Sequence, residues 1–233
     1  MNRDQVLGDL RAMGSRESAA GMARFGISST NTLGISVPLL RQTARRISRD
    51  HALALELWDS GIHEARVLAS MIDDPKLVTS EQMDAWVADF DSWDVCDHAC
   101  GNLFDRTPYA FEKVAAWSDR EEEYVRRAAF ALLAELAIHD KRAPDECFSA
   151  CFPLIITAAV DERNFVKKAV NWAVRQIGKR NIALNAQAIA LSRDLQQIDS
   201  RSARWIAADA LRELQGDAVQ GRLQLVARKR ATR

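Results

Sequence analysis

Apolar residues follow a helical pattern that returns four times along this chain and leaves little room for any fold but an all-helical one. In residues 124–139 they recur at spacings of three and four, which places them on one face of an amphipathic helix. The same pattern returns in residues 165–178, 201–214 and 63–75, the last ended by Asp74 and Pro75. With only 10 glycines and 5 prolines in 233 residues, few positions interrupt helices. We therefore predict an all-α protein.

The helices recur at a regular interval. Counting from Arg66, Arg127, Lys168 and Arg204, and including a helix around Asp97, one such helix returns every 30 to 41 residues with a partner helix between copies. This period is typical of helix-pair solenoids. We expect a superhelical stack of antiparallel helix pairs with a concave face. The predicted partner helices are residues 80–90, 107–118, 145–160 and 184–195.

Two segments depart from the repeat. Residues 24–48 are rich in Ser, Thr and Asn and are broken by Gly26, Gly34 and Pro38, so they predict an irregular segment. Pro38 suits the first turn of a helix that runs to Ile47. The chain from about residue 226 is basic, and we expect this tail to be frayed. The rest, within residues 1–233, is predicted as one domain.

Composition limits the class of protein. No apolar run approaches the roughly 20 residues of a membrane span, and the charged start lacks a secretory signal, so we expect a soluble, cytoplasmic monomer. Net charge is zero, but residues 1–120 carry a net −5 and residues 121–233 a net +5. A local basic face can attract phosphates even on a neutral protein. Half-chain imbalances of this size are common, so this feature alone is weak.

One segment combines residue types that suit DNA chemistry. Trp93 and Asp97 stand four apart, so they share a helix face. Arg127 begins the next copy of the repeat, and Trp172 lies in the copy after it. Aromatic rings stack on bases or sugars and arginine holds phosphates, while a carboxylate stabilises developing positive charge. We expect these four side chains to meet on the concave face.

The same residues carry a family resemblance. Residues 92–97, 124–130 and 165–181 resemble the repeats of the AlkD-like DNA alkylation repair family, and residues 21–41 resemble its N-terminal segment. The resemblance runs from about Gly21 to Leu214. It implies a stack of HEAT-like repeats that binds double-stranded, alkylated DNA on its concave face.

The resemblance also implies an activity. Active members are glycosylases that release cationic alkylated purines, such as 3-methyladenine and 7-methylguanine, without a metal or a cofactor. By motif, Asp97, Trp93 and Trp172 match the catalytic residues, and Arg127 matches the arginine that holds the phosphate. The expected DNA-binding residues are Arg127, Phe25, Lys167, Lys168, Arg175 and Lys179.

Two departures keep other functions open. Phe25 stands where active members have tyrosine, and the segment between Arg127 and Trp172 is longer than in those members, around Pro144. Some members keep the fold and are thought to bind unusual DNA structures without excision. The first alternative is therefore a non-catalytic binder of damaged or branched DNA. The second is a protein-interaction solenoid, because a fold does not fix a function.

Each candidate residue also has a purely structural interpretation. Tryptophan is mostly buried, so Trp93 and Trp172 are alternatively core residues. Asp97 is alternatively a capping or ion-pairing residue. We assign four other tryptophans to the core: Trp58, Trp86, Trp117 and Trp205. We expect Arg126 and Lys168 to be solvated, whereas five basic residues line either the DNA track or an ordinary wet face: Arg163, Lys167, Arg175, Lys179 and Arg180.

The cysteines raise the question of a metal. Cys96 and Cys100 share a helix face, but His98 points nearly opposite, and zinc sites need converging ligands. We therefore predict no metal site. Cys147 and Cys151 are interpreted as small core hydrophobes, and all four cysteines as reduced thiols.

Overall fold

The computed structural model of the chain describes residues 1–27 and 31–231. Ser28, Ser29 and Thr30, in the predicted irregular segment, and the last two residues of the tail lie outside this description. The chain divides into two compact units, Met1–Tyr109 and Ala110–Arg233. The prediction of a single domain stays a prediction. Among the described residues, no helix is long and apolar enough to span a membrane.

The first unit contains seven α-helices and two short 3₁₀ turns in its described part. The turns are Ala23–Phe25 and Phe104–Arg106. The helices are α1 (Arg3–Met13), α2 (Arg16–Met22), α3 (Val37–Ile47), α4 (His51–Trp58), α5 (His63–Ile72), α6 (Ser80–Ala88) and α7 (Trp93–Asn102).

The described part of the second unit is helical throughout. Its helices are α8 (Ala110–Ser118), α9 (Glu123–His139), α10 (Asp145–Ser149), α11 (Phe152–Ala158), α12 (Asn164–Gly178), α13 (Ile182–Gln197), α14 (Arg201–Leu214) and α15 (Asp217–Ala231). Helix α15 therefore continues through residues 226–231, the stretch expected to fray.

Consecutive helices pack in pairs, and the second helices of the pairs pack on one another. The pairs are α4 with α5, α8 with α9, and α13 with α14. Helix α5 also contacts α3 and α7 in the first unit, while α12 contacts both α9 and α14 in the second. Alanines permit this close packing: Ala128, Ala129 and Ala131 of α9 are fully buried. This is the arrangement of a helix-pair solenoid, so the predicted fold class is confirmed.

The structure corrects the register of the repeat. Arg66 Nε donates to the carbonyl oxygen of Trp58, eight residues earlier, and Arg126 Nε donates to the carbonyl oxygen of Ser118, again eight residues earlier. Arg66 is therefore equivalent to Arg126 and not to Arg127. The neighbouring arginines made the two alignments indistinguishable in sequence.

Arg126 is also not the solvated residue that we expected. Its guanidinium donates to Asp161 at 3.0 Å, and Arg163 donates to the same carboxylate. Burial opposes ionisation of Asp161, but the hydrogen bonds from Arg163 and Arg126 outweigh it and lower its pKa to about 2. The two arginines thus hold the turn before α12 against the end of α8.

Two further predictions about local structure were wrong. Residues 145–160 form two helices, α10 and α11, because the chain turns at Cys151 and Pro153 then occupies the first turn of α11, where proline lacks no needed N–H. Cys147 is half-buried rather than in the core. The predicted helices over 39–47, 124–139, 165–178 and 201–214 are confirmed to within two residues, and the helix predicted to end at Asp74 and Pro75 runs over His63–Ile72.

Candidate nucleic-acid interface

Trp93 is fixed to the N-terminal segment of the first unit. It is the first residue of α7 and is half-buried. Its indole Nε1 donates a 2.9 Å hydrogen bond to the carbonyl oxygen of Phe25. Phe25 closes a 3₁₀ turn, and Gly26 follows it with a left-handed φ of 75°, which glycine adopts without strain. Phe25 itself is 71% exposed, so the anchored indole is bonded to the main chain of an exposed aromatic residue.

Asp97 lies one helical turn after Trp93 on α7, and it too is half-buried. Cys96 and Cys100 of the same helix are fully buried. Residues four apart on an α-helix share a face. The structure therefore places the predicted carboxylate and the first predicted tryptophan one turn apart on α7, each partly exposed.

A histidine–aspartate pair supports the start of α7, and sequence reasoning missed it. His63 Nε2 lies 2.9 Å from a carboxylate oxygen of Asp94, joining the first turns of α5 and α7. Burial favours neutral His63, but the hydrogen bond and charge of Asp94 outweigh it and raise the His63 pKa. Burial likewise opposes the Asp94 carboxylate, yet His63 lowers its pKa. Asp94 adjoins Trp93, so the pair holds the helix turn that carries the indole.

A buried carboxylate holds the segment that leads into α3. Glu64 is almost fully buried and accepts hydrogen bonds from the backbone N–H groups of Leu33, Gly34 and Ile35 at 2.6 to 3.2 Å. Gly34 has a φ of 80°, and a Cβ there would lie 2.2 Å from the Ser15 carbonyl oxygen. Only glycine fits this position.

An arginine-lined groove also lies in the first unit. Arg41, Arg45 and Arg49 recur every fourth residue of the α3 segment and face Arg106 across a groove of about 500 Å³. Arg49 pairs with Asp74 at 3.3 Å, whereas Arg41 and Arg45 are exposed and make no hydrogen bond or ion pair with the described part of the chain. The i, i+4 spacing of these arginines was the available sequence signal. Such a groove suits phosphate oxygens.

In the second unit, Arg127 is buried rather than presented to solvent. Only 5% of the residue is exposed, and its Nη1 donates a 2.7 Å hydrogen bond to the carbonyl oxygen of Phe165, in the first turn of α12. This hydrogen bond joins α9 to the first turn of α12.

Trp172 is half-buried on α12, and a glutamine fixes its ring. With the Gln176 amide oxygen turned toward them, Gln176 accepts from Trp172 Nε1 at 3.0 Å and from Lys179 Nζ at 3.2 Å. The N–H groups of both Trp93 and Trp172 are thus used within the protein. What these rings offer a ligand is therefore their π surface rather than a hydrogen bond.

Two of the predicted DNA-binding cations form ion pairs with α14. Arg175 and Lys179 contact the Glu213 carboxylate at 2.7 and 2.6 Å. Burial favours protonated Glu213, but the two cations outweigh it and lower its pKa. Lys168 is exposed, and Lys167 Nζ lies 5.6 Å from the centre of the Trp205 ring.

Two other arginines, Arg180 and Arg163, were predicted to line either the DNA track or an ordinary wet face, and both are held by contacts within the second unit. Arg180 donates to the carbonyl oxygens of Ala137, Asp140 and Ala143 and packs over Phe148. It closes the end of α9 and the longer segment before Pro144. Arg163 is held by Asp161. Both are structural residues in this arrangement.

The prediction of a core position is confirmed for three of the four tryptophans and is wrong for the fourth. Trp58, Trp86 and Trp117 are buried, and Trp58 stacks on Trp86 with ring centroids 3.9 Å apart. Trp205 is instead 41% exposed. Its neighbours Ile206 and Ala207 fill the buried face of α14, so Trp205 falls outside the apolar stripe.

The predicted site residues are thus divided between the units. Phe25, Trp93 and Asp97 belong to the first, and Arg127, Trp172 and the lysines belong to the second. That they meet on one concave face stays a prediction.

Comparisons with known proteins bear on fold and family. A solved structure from a family described as related to the HEAT-like repeat DNA glycosylases, with affinity for branched DNA structures, superposes with a TM-score of 0.79 over 96% of each chain at 16% identity. At this identity the likeness shows the fold alone. An engineered protein and a designed armadillo repeat protein also match, over 75% of this chain and 90% and 91% of theirs, at 13% and 16% identity with TM-scores of 0.37 and 0.35.

None of the curated proteins is similar enough in sequence to count as a match. A family model described as DNA alkylation repair enzyme matches residues 6–214. This span includes Phe25, Trp93, Asp97, Arg127 and Trp172. The chain therefore belongs to the DNA alkylation repair enzyme family.

Proposed function

We propose that this chain is a DNA glycosylase that hydrolyses the N-glycosidic bond of cationic alkylated purines in duplex DNA. The observation that carries the proposal is the arrangement on α7: Asp97 lies one turn from Trp93, and the Trp93 indole is anchored to Phe25. Membership of the repair family supports this assignment. We expect 3-methyladenine and 7-methylguanine to be substrates.

The proposed reaction needs few catalytic groups from the protein. An N3- or N7-methylated purine carries a positive charge, so it leaves as a neutral base with the electron pair of the broken C1′–N bond. Positive charge then develops on the sugar. The Asp97 carboxylate stabilises that charge and accepts the proton of the water that attacks C1′. The reaction needs no metal and no cofactor.

The two tryptophans act through their rings in this proposal. A π face is negative and attracts a cation, with a gain of about 0.5–2 kcal/mol. Trp93 and Trp172 are both half-buried, and their N–H groups are bonded to Phe25 and Gln176. Anchored rings lose little conformational freedom when a sugar packs on them. They therefore stabilise the transition state at a lower entropic cost than flexible rings would.

Phosphate contacts need a second source besides Arg127. A phosphate reaches Arg127 only if the first turn of α12 shifts away from it, because the residue is 5% exposed and bonded to Phe165. We therefore also assign contacts with the DNA phosphates to exposed Lys168 and to the groove lined by Arg41, Arg45, Arg49 and Arg106.

The test is release of free base from a duplex with a single 7-methylguanine, measured under single-turnover conditions. We expect Asp97→Asn to lower the rate by about 10²- to 10⁴-fold, the range of one positioned acid–base group, and Trp172→Ala to lower it by roughly tenfold through the lost contact with the ring face. Cys96→Ala, on the buried side of the same helix, is the matched control for damage to α7. Equal rates for the parent protein and Asp97→Asn would refute the assignment.

A second candidate is a non-catalytic binder of branched DNA. It is favoured by the full-length likeness to a structure whose family has affinity for branched DNA and by Phe25, which lacks the hydroxyl of active members. Its mark is salt-sensitive binding of branched DNA without base release. Phe25→Tyr separates the two candidates: a gain of release identifies the missing hydroxyl as the cause, and tight branched-DNA binding with no release in either protein supports the binder.

A further inference from the structure

Trp205 is an exposed aromatic residue that the proposed glycosylase reaction does not use. It lies in the second turn of α14 and is 41% exposed, although tryptophan is largely buried on average. The adjacent Ala203, Ile206 and Ala207 are fully buried, so the helix has the apolar face that it needs without Trp205. The indole therefore contributes surface rather than core.

A cation holds this ring in place. Lys167 of α12 lies over the indole, with Nζ 5.6 Å from the ring centre, a cation–π distance. Lys167 makes no ion pair with the described part of the chain, whereas Arg175 and Lys179, farther along the same helix, both pair with Glu213. The positive charge next to Trp205 is thus not cancelled by α14.

The surroundings of the ring carry a net positive charge. Lys168 and Arg201 are exposed and form no ion pair with the described residues. Arg204 pairs with Asp199 at 3.0 Å, and Glu162 accepts a hydrogen bond from the Ser202 N–H at the start of α14. Along α12 and α14, the four cations Lys167, Lys168, Arg201 and Arg204 outnumber the carboxylates of Glu162, Asp199 and Asp209, and Asp209 accepts a hydrogen bond from Asn171.

An aromatic plane bordered by cations is the chemistry that binds unpaired nucleotides. A base stacks on the ring while the cations hold the flanking phosphates, largely irrespective of sequence. Bases inside a duplex are covered on both faces by their neighbours, so only an unpaired base offers a free face. The patch therefore fits a single-stranded nucleotide better than uninterrupted duplex.

We propose that Trp205, Lys167, Lys168 and Arg201 form a binding site for an unpaired DNA nucleotide, which we name the Trp205 platform. The base stacks on the indole, and its phosphates lie against Lys168 and Arg201. This inference rests on the proposed DNA-binding function, and it adds a ligand class that base excision from a continuous duplex does not require.

The experiment compares three labelled probes by fluorescence anisotropy: a blunt duplex, the same duplex with a short single-stranded overhang, and that duplex with an abasic overhang. The abasic overhang keeps the phosphates but removes the bases. We expect the full-length protein to bind the overhang with bases most tightly. Trp205→Ala weakens that binding roughly tenfold and leaves the other two affinities unchanged, whereas Trp205→Phe keeps most of the preference.

Controls separate stacking from charge and from folding. Ile182→Ala removes another exposed apolar side chain of the same unit and keeps the preference. Lys168→Ala and Arg201→Ala weaken binding to both overhangs equally, because they act on phosphates. Thermal unfolding shows whether Trp205→Ala is folded, and the phenylalanine variant decides the question if it is not.

The outcomes distinguish this inference from the proposed function. An unchanged overhang preference in Trp205→Ala, or equal binding of both overhangs by the parent protein, overturns the platform while 7-methylguanine release still tests the glycosylase. Release by Trp205→Ala at the parent rate, with the preference lost, supports both. Self-association that Trp205→Ala abolishes, without any overhang preference, assigns the patch to contact with a second copy and overturns the proposal.

Discussion

The indole nitrogen of Trp93 is bonded to the main-chain carbonyl oxygen of Phe25, which lies 68 residues earlier in the chain. The acceptor is a backbone atom, so the bond does not depend on which side chain stands at position 25. It depends on the 3₁₀ turn that presents the carbonyl and on Gly26, which reverses the chain after it. The orientation of the indole is therefore set by the N-terminal segment.

Trp93→Phe removes the donor but keeps an aromatic ring. We expect the free energy of unfolding to fall by about 1 kcal/mol, the net value of one hydrogen bond, and the rate of 7-methylguanine release to fall because the ring is no longer anchored. Denaturant unfolding and single-turnover release measure the two effects. Phe25→Leu, which retains the carbonyl acceptor, is the control and should keep the bond; an unchanged release rate in Trp93→Phe would show that anchoring is irrelevant.

Arg127 is expected to contribute to stability as well as to DNA binding. Arg127→Ala removes the hydrogen bond that joins α9 to the Phe165 carbonyl oxygen of α12 and leaves space where a buried side chain stood, so the free energy of unfolding should fall by about 1–3 kcal/mol. Chemical denaturation checks this, with Arg201→Ala as the control, because exposed substitutions usually change stability by less than about 0.5 kcal/mol. Equal stability of the two variants would mean that Arg127 is not a packing residue.

The arginine groove should dominate the salt dependence of DNA binding. Each phosphate contact adds about 0.9 to the slope of log affinity against log salt concentration. Arg41→Ala and Arg45→Ala should each lower the slope by about that amount for duplex DNA. Arg11→Ala, an exposed arginine of α1, should leave it unchanged. Slopes that do not differ among the three variants would exclude the groove from the interface.

The His63–Asp94 pair makes the stability of the first unit depend on pH. The raised His63 pKa means that its contribution is complete below 6.5, the ordinary histidine value, and is lost as pH rises through the raised value. The lowered Asp94 pKa means that its contribution is present above 3.8 and is lost on acidification. The pair therefore stabilises most between these values, where His63→Gln should cost about 1–3 kcal/mol.

Urea unfolding of the parent protein and His63→Gln across this range measures that difference. We expect this difference in unfolding free energy to shrink as pH rises above 6.5 and through the raised His63 pKa. Glu64, Asp91 and Asp94 all favour charged His63. Burial instead lowers the pKa of the nearby His98. We therefore assign the loss of stability at rising pH to His63. A difference that grows with pH would contradict this assignment.

Helix periodicity predicted the elements well because it depends on local burial. The boundaries of α14 were obtained from residues 201–214 alone. The end of α12 at Gly178 was also predicted, and this glycine does not have a left-handed φ. A Cβ there would lie 2.7 Å from both methyl groups of Leu214, so a larger residue would make the Leu214 side chain of α14 shift, and no local pattern reveals this contact.

The site was predicted less completely because its supporting contacts join distant residues. The partners of Trp93, Arg127 and Arg175 lie 68, 38 and 38 residues away. Residue type and spacing suggested which side chains matter, but not that Arg127 is buried or that Trp205 is exposed. Both depend on which face of a helix meets its neighbour, and adjacent residues on a helix differ by about 100°.

Helices α12 and α14 are joined at a constant offset. Lys167 meets Trp205, Asn171 donates to Asp209, and Arg175 donates to Glu213, each 38 residues apart. A residue inserted within either helix would rotate the following contacts by about 100° and break all those beyond it. A residue inserted in the turns around α13 would leave every one of them intact. Natural variation in length should therefore accumulate in those turns. Engineered tags or labels inserted there should leave the three contacts between α12 and α14 unchanged.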